Sequence, residues 1–119
     1  MKNDAFNELF RKRTMAFVVR LIKFLESVPF NSATRVMSFQ LCKAGTSVGA
    51  NFRAFCRGRS KNEKFSKICI VVEEADETEY WLEIFTHTAY GDNKELQWLS
   101  KEANEILKVT SSIKNGLYN

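Results

Sequence analysis

Basic side chains at helical spacing are the first feature of this sequence that could do chemistry. One group comprises Arg53, Arg57, Arg59, Lys61, Lys64 and Lys67, and a second comprises Arg11, Lys12 and Arg13. Faces rich in Lys and Arg bind phosphate backbones without reading base sequence, by releasing condensed counterions. These nine residues are therefore the candidate contacts for RNA or DNA. The alternative is a solvated face, or pairing with acidic residues of the same chain.

The net charge of +4 is unevenly divided along the chain. Residues 1–70 hold 14 Lys and Arg against 4 Asp and Glu, whereas residues 71–119 hold 4 against 10. One interpretation is internal complementarity, in which basic helices lie beside acidic ones and Arg53 and Arg57 pair with the acidic segment of residues 73–83. The other is a basic face that meets phosphate. Charge alone leaves both open.

Carboxylates are concentrated at Glu73, Glu74, Asp76, Glu77, Glu79 and Glu83. In a helical bundle such a cluster suggests a di-metal centre, which needs Glu-x-x-His on two helices. The chain has one histidine, His87, four residues after Glu83, so neither the number nor the spacing fits. A Cys–His nucleophile would depend on the same histidine, and no local pattern marks a reactive thiol. We therefore predict no enzyme activity, metal, cofactor or small-molecule substrate.

Four amphipathic helices must position these residues. Apolar residues recur every three or four positions, which is the period of a helix with one buried face. In the first helix Phe10, Phe17, Leu21 and Phe24 form this stripe, and Val18, Ile22 and Leu25 widen it; in the second the stripe is Met37, Leu41, Gly45, Val48, Phe52 and Phe55. Small residues at Gly45 and Gly49 allow a neighbouring helix to approach closely.

Capping residues and breaks divide the chain into these helices. Asn31 or Ser32 is the expected N-cap of the second helix, and Ser60 with Glu63 has the capping-box form. We predict one domain over residues 1–119, with helices at about 5–28, 32–57, 61–89 and 93–115. Short connections between long helices force neighbouring helices to run antiparallel. The predicted fold is an all-α, antiparallel up-and-down four-helix bundle.

The remaining composition bears on location. No segment approaches the roughly 18 consecutive apolar residues of a membrane span, and the N-terminus lacks the pattern of a secretory signal. The three cysteines include no Cys-x-x-Cys pair, and their odd number favours reduced thiols over a disulfide framework. We expect a cytoplasmic protein that does not enter a membrane.

Two motifs in order resemble a known family. Residues 39–61 contain Phe-Gln-Leu, Gly-Thr-Ser-Val-Gly-Ala-Asn and Arg-Gly-Arg-Ser-Lys, and residues 73–82 read Glu-Glu-Ala-Asp-Glu-Thr-Glu-Tyr-Trp-Leu. The chain resembles bacterial four-helix-bundle proteins encoded in intervening sequences of large-subunit ribosomal RNA, some of which carry a ribosomal-protein label. The accessory variability determinant of diversity-generating retroelements is similar to this group.

The resemblance implies a ring-shaped homopentamer with a basic surface that contacts RNA or DNA, and no known catalysis. Tyr80, Trp81 and Trp98 are candidates for the subunit interface, since aromatic residues are enriched at interfaces, although burial within one subunit would also explain them. Two functions stay open. The first is an accessory factor that binds nucleic acid, and the second is a protein–protein scaffold whose charges serve only the subunit interfaces.

Overall fold

The computed structural model of the protein describes residues 4–118, which form four α-helices joined by short turns. The helices are α1 (Asp4–Leu25), α2 (Ser32–Cys56), α3 (Lys61–Thr88) and α4 (Asn93–Tyr118). Each helix packs against two others in the order α1–α2–α3–α4, so that α1 and α3 lie on opposite corners of a bundle measuring 46 × 22 × 19 Å. The predicted all-α, four-helix fold is confirmed. None of the described helices combines the length and the apolar character needed to cross a bilayer.

The caps of α2 and α3 follow from two side-chain oxygens. Asn31 Oδ1 accepts the N–H groups of Ala33 and Thr34, both at 2.9 Å, and the Thr34 hydroxyl accepts the Asn31 N–H at 2.9 Å. Asn31 is thus the N-cap. Ser60 Oγ accepts the Glu63 N–H at 3.1 Å, as predicted, but the Glu63 carboxylate faces the Ser60 hydroxyl at 3.4 Å instead of the Ser60 backbone. The second half of the predicted capping box is therefore wrong.

Helix ends differ from the predicted bounds by one to three residues. The helix α1 ends at Leu25, not at residue 28, because the next three N–H groups bond to carbonyls three residues back, at 2.9–3.2 Å, in a tighter turn that leads to Pro29. The helices α2 and α3 each end one residue early, at Cys56 and Thr88. The helix α4 continues past the predicted residue 115 to Tyr118, since Gly116 weakens a helix without ending it.

The turn between α3 and α4 is tied to the end of α1. Gly91 has φ +86°, and an added Cβ would lie 2.7 Å from the ring of Phe24, so both backbone and space require glycine there. The Asp92 N–H donates to Ser27 Oγ at 2.9 Å, while Asp92 Oδ1 accepts the Glu95 N–H at 3.0 Å. The same residue therefore caps α4 and joins it to α1.

One apolar core runs along the bundle axis. Every member of the predicted α2 stripe is buried, as are Phe10, Phe17, Leu21 and Phe24 of α1. Burying each large apolar side chain contributes about 1.5–3 kcal/mol. The prediction for Ile22 is wrong, because its side chain is 44% exposed. It lies on an outer stripe of α1, seven residues from Met15.

Side chains of α1, not its backbone, lie closest to the small residues of α2. A Cβ added at Gly45 would overlap Leu21 Cδ2, whereas one at Gly49 would lie 3.7 Å from Val18 Cγ2, an ordinary contact. The close neighbour at Gly45 is a side chain rather than backbone. The helix α2 continues through both glycines without interruption.

Two ion pairs join α1 to α4. Arg13 donates two hydrogen bonds to Glu102 at 2.7 and 2.8 Å, and Arg20 donates two to Glu95 at 3.0 and 2.8 Å. The arginines are seven residues apart on α1, and the glutamates are seven residues apart on α4 in the opposite order. This ladder fixes the antiparallel register of the first and last helices.

Candidate functional site

The turn between α2 and α3 gathers five of the predicted cations at one end of the bundle. We call this set the basic turn: Arg57, Arg59, Lys61, Lys64 and Lys67. The chain reverses here because the Gly58 N–H bonds to the Phe55 carbonyl at 3.1 Å and Ser60 starts α3. A Cβ at Gly58 would lie 2.7 Å from Lys64 Cγ and 3.2 Å from its backbone nitrogen. Glycine at this position brings the first turn of α3 close to the end of α2.

The cations of the basic turn differ in how far they are committed to other contacts. Arg57, Arg59 and Lys61 are exposed, and none forms an ion pair with any residue in the described range 4–118. Lys64 lies over the Phe55 ring, 5.0 Å from its centroid, with Nζ 3.4 Å from the Phe55 carbonyl. Lys67 is half-buried beside a shallow cleft of about 350 Å³ that also contains Arg57. Arg57, Arg59 and Lys61 are thus exposed without an ion pair among the described residues. Lys64 contacts Phe55, and Lys67 is half-buried.

The first basic group is divided by the fold. Arg11 and Lys12 are exposed, and Lys12 has only a long contact of 3.7 Å with Glu8, one turn away. Arg13 points to the other side of α1, where Glu102 accepts its hydrogen bonds and thereby raises its pKa. Arg13 is thus neutralised within the subunit, while Arg11 and Lys12 are not.

Packing of α1 on α2 brings members of both basic groups to one cavity. This α1–α2 groove has a volume of about 460 Å³ and is lined by Arg11, Lys12, Thr14, Met15, Val18, Thr46, Gly49, Ala50 and Arg53. Its lining combines small and aliphatic residues with three cations. Arg53 is exposed and forms no ion pair with a described residue. Residues about 40 positions apart in sequence therefore form one surface.

The acidic segment of α3 does not pair with Arg53 and Arg57, so that prediction is wrong. Antiparallel packing of α2 on α3 leaves both arginines and most of these carboxylates exposed on their own helices. Among the described residues, Glu79 accepts a hydrogen bond from Asn104 Nδ2 at 2.8 Å, and Glu83 contacts His87 at 3.8 Å. The ion pairs between helices that the structure describes are those of the α1–α4 ladder.

The pKa values of Glu74 on α3 and Glu95 on α4 are shifted in opposite directions. Burial raises the pKa of Glu74, and the negative charges of Glu77 and Glu73 raise it further, against an opposing effect of Lys43. The ladder shows the opposite behaviour, because the hydrogen bonds from Arg20 lower the pKa of Glu95. Glu74 therefore lies where its ionised form is disfavoured, whereas Glu95 lies where its ionised form is stabilised.

The three aromatic residues predicted for an interface lie in different environments. Tyr80 is 58% exposed, with its ring 5.3 Å from that of Trp81 in an edge arrangement. Trp81 is half-buried against the core, and its buried Nε1 has no hydrogen-bond partner among the described residues. Trp98 is half-buried beneath Arg20, whose Cζ lies 3.6 Å from the ring centroid. Tyr80 is the most accessible of the three.

Exposed apolar residues on α1 were missed by sequence reasoning. Met15 is 59% exposed, and Val19 and Ile22 are each 44% exposed. Their spacing of four and three residues places them on one stripe next to the α1–α2 groove. In the sequence these residues form a second group of apolar positions on α1. That group adjoins the core stripe on the helix surface, so it can equally be interpreted as part of the core.

The arrangement offers charge and apolar contact. Within residues 4–118 no three His, Cys, Asp or Glu side chains come together in a group that could hold a metal ion. The cysteines Cys42, Cys56 and Cys69 are free and half-buried, and burial raises the pKa of Cys56. His87 lies at the exposed end of α3, beside Glu83.

Comparison with known proteins identifies a family and several similar solved structures. Residues 8–112 match the family described as 23S rRNA-intervening sequence protein. A crystal structure from Bacteroides thetaiotaomicron VPI-5482, of a protein with unknown function from the S23 ribosomal protein family, is 30% identical in sequence with a TM-score of 0.79. The alignment covers 92% of this chain and 97% of that chain. No protein with a curated description matches.

Proposed function

Because this chain belongs to the 23S rRNA-intervening sequence protein family, we propose that it is a non-enzymatic accessory protein that binds RNA or DNA through its basic turn. The observation that carries this proposal is the set of three exposed cations, Arg57, Arg59 and Lys61, that have no acidic partner among the described residues. Cations with no structural partner at one end of a bundle are available to phosphates, which bind such surfaces with release of counterions.

The geometry favours backbone contact over base recognition. Phe52 and Phe55 are 0% and 5% exposed and belong to the core. Neither ring is therefore accessible for base stacking beside the basic turn. We accordingly propose recognition of phosphate position and nucleic-acid shape, with no preference for a base sequence.

We further propose that the protein acts in the cytoplasm as a ring-shaped homopentamer. The free cysteines support this location, and the family resemblance implies the ring. Repeated head-to-tail contacts close into a ring when the rotation between subunits divides a full turn. Native mass spectrometry tests the number directly, since a pentamer has five times the chain mass of 13.7 kDa.

Fluorescence anisotropy with labelled structured RNA and duplex DNA, repeated across a salt series, tests nucleic-acid binding. The variant carries Arg57→Glu, Arg59→Glu and Lys61→Glu. Each phosphate contact contributes about 0.9 to the slope of log affinity against log salt for duplex DNA. Loss of three contacts should reduce that slope by about 2.7 and lower affinity at least tenfold at low salt.

A matched control separates a defined surface from net charge. Lys94→Glu, Lys101→Glu and Lys108→Glu change the net charge equally, and all three lysines are exposed on α4. The control should bind as the unchanged protein does. Equal losses in both triple variants would show that only total charge matters, and unchanged binding in the basic-turn variant would refute the proposal.

A further inference from the structure

An exposed tyrosine ringed by carboxylates projects from α3. Tyr80 is 58% exposed, and the residues three, four and seven positions before it and three after it are all acidic and exposed. We call this surface the acidic knob: Tyr80, Glu73, Asp76, Glu77 and Glu83. Residues at these spacings lie side by side on a helix. Aromatic residues are enriched at protein–protein interfaces, and the carboxylates around this ring form no ion pair with another helix among the described residues.

The α1–α2 groove has the opposite character. It is lined by Met15, Val18, Gly49 and Ala50 and by the cations Arg11, Lys12 and Arg53. Apolar surface continues beyond the groove along the stripe that contains Val19 and Ile22. These cations have no acidic partner on another helix among the described residues. The groove thus combines open apolar space with the charges of Arg11 and Arg53, which form no ion pair among the described residues, and of Lys12, which has the 3.7 Å contact with Glu8.

The part of the knob from Glu73 to Tyr80 has the length of the groove. These seven residues span about 10 Å along α3, as does the α1 side of the groove from Arg11 to Val18, while Glu83 lies a further three residues along α3. A groove of about 460 Å³ has room for one phenol ring and its neighbouring side-chain stems. Gly49 and Ala50 of α2 line the groove with small residues, which occupy little of its space.

We propose that the acidic knob of one copy of this chain docks into the α1–α2 groove of a second copy, with Tyr80 against the apolar lining and the carboxylates against Arg11, Lys12 and Arg53. This inference rests on the self-association proposed above and names the surfaces that form it. Because α1 and α3 lie on opposite corners of the bundle, a knob cannot reach the groove of its own subunit.

The contact is heterologous, since each copy presents one knob and one groove in different places. Such contacts propagate from copy to copy and close into a ring when the geometry permits. A second copy fits the groove better than nucleic acid does. Phosphates need no apolar lining, and unpaired bases are held by aromatic stacking, whereas the lining residues of this groove are aliphatic, small or charged.

Sedimentation velocity over a concentration series tests the contact with single, double and control variants. Tyr80→Ala and Arg53→Glu should each raise the concentration at which the assembly dissociates at least tenfold. Phe30→Ala is the matched aromatic control, because Phe30 is 86% exposed and lies outside both surfaces; it should leave assembly unchanged. Circular dichroism should give the same helix content for every variant.

Charge exchange provides the sharper result. Glu77→Arg should weaken assembly as Arg53→Glu does, and the double variant should recover most of the loss, because it restores opposite charges across the contact. Additive losses in the double variant would contradict the pairing of these two surfaces.

The remaining outcomes separate the two proposals. A monomeric unchanged protein would overturn both the proposed self-association and this contact, while anisotropy would still report nucleic-acid binding on its own. An assembled protein that is indifferent to Tyr80→Ala and Arg53→Glu would overturn the contact and leave self-association standing. Lost RNA affinity in Arg53→Glu with intact assembly would assign the groove to nucleic acid and overturn the contact.

Discussion

Gly45 of α2 leaves room for Leu21 of α1, and Gly45→Ala measures what that contact requires. The added methyl group would overlap Leu21 Cδ2 and lie 3.8 Å from the Phe17 ring. Leu21 is 0% exposed, so it cannot turn aside without displacing other core side chains. Gly49→Ala is the matched control one turn later, where the new methyl group makes only ordinary contacts, at 3.7 Å or more.

The magnitude follows from two opposing effects. Alanine is about 1 kcal/mol more favourable than glycine inside a helix, and both variants gain this. Overpacking a filled core costs about 1–3 kcal/mol, and only Gly45→Ala incurs it. Gly49→Ala should therefore stabilise the protein by about 1 kcal/mol, while Gly45→Ala should range from no change to a loss of about 2 kcal/mol. The expected difference between the two variants is about 1–3 kcal/mol.

Urea unfolding followed by circular dichroism, at one low protein concentration, measures this difference. In thermal unfolding each kcal/mol corresponds to about 4 °C for a domain of this size. Gly49→Ala should unfold at higher urea than the unchanged protein, and Gly45→Ala at the same or lower urea. Equal stabilisation by both alanines would refute the reasoning, because it would show that α1 and α2 are not held in contact at Gly45.

Three further substitutions test the electrostatics and the buried indole. Glu74→Gln should raise the melting temperature at pH 7, because burial raises the pKa of Glu74 and so disfavours its ionised form in the folded state; the gain should vanish below the ordinary pKa of 4.5, where both states are protonated. Arg20→Met should lower the melting temperature most above pH 4.5, with a difference that shrinks as acid protonates Glu95, whose pKa the Arg20 hydrogen bonds lower. Trp81→Phe should leave urea stability within about 1 kcal/mol, since losing the unpaired Nε1–H, a desolvation cost of about 1–3 kcal/mol, offsets the smaller ring. A loss above 3 kcal/mol would mean that this N–H is satisfied in solution.

Helical periodicity predicted the elements and most of the core because a helix with a single apolar stripe buries that stripe. The α2 stripe from Met37 to Phe55 repeats every three or four residues and is buried throughout. The same rule failed at Ile22, since α1 carries apolar residues on two arcs and periodicity does not distinguish the arc that faces the core from the arc next to it. The exposed group of Met15, Val19 and Ile22 is distinguished from the core stripe only by the packing, in which α2 lies beside Val18.

The sequence shows where the charged residues are, but it does not predict which of them form ion pairs. The basic segment near Arg53 and the acidic segment near Glu77 are on adjacent helices, which made pairing between them the natural expectation. Their side chains instead point outward on their own helices, and the pairs that form join α1 to α4 through Arg13 and Glu102. Pairing depends on the rotation of each helix about its axis, and a single sequence constrains that rotation only through the apolar stripe.

The unpaired charges of α2 and α3 are informative because these helices are adjacent and carry opposite charge. Ion pairs between them would neutralise both sets, and the subunit does not form those pairs among its described residues. Because both helices turn their charged side chains outward, the positive charges and the negative charges are each available to a different partner. In a ring built from side-by-side contacts between knob and groove, symmetry places every basic turn at the same height along the ring axis. The nucleic-acid surface would then be repeated on one side of the assembly, and each protomer's modest phosphate contacts would act together. Assembly and nucleic-acid affinity are therefore coupled under the two proposals: separating the subunits would cost affinity for long RNA without removing a single phosphate contact from any subunit.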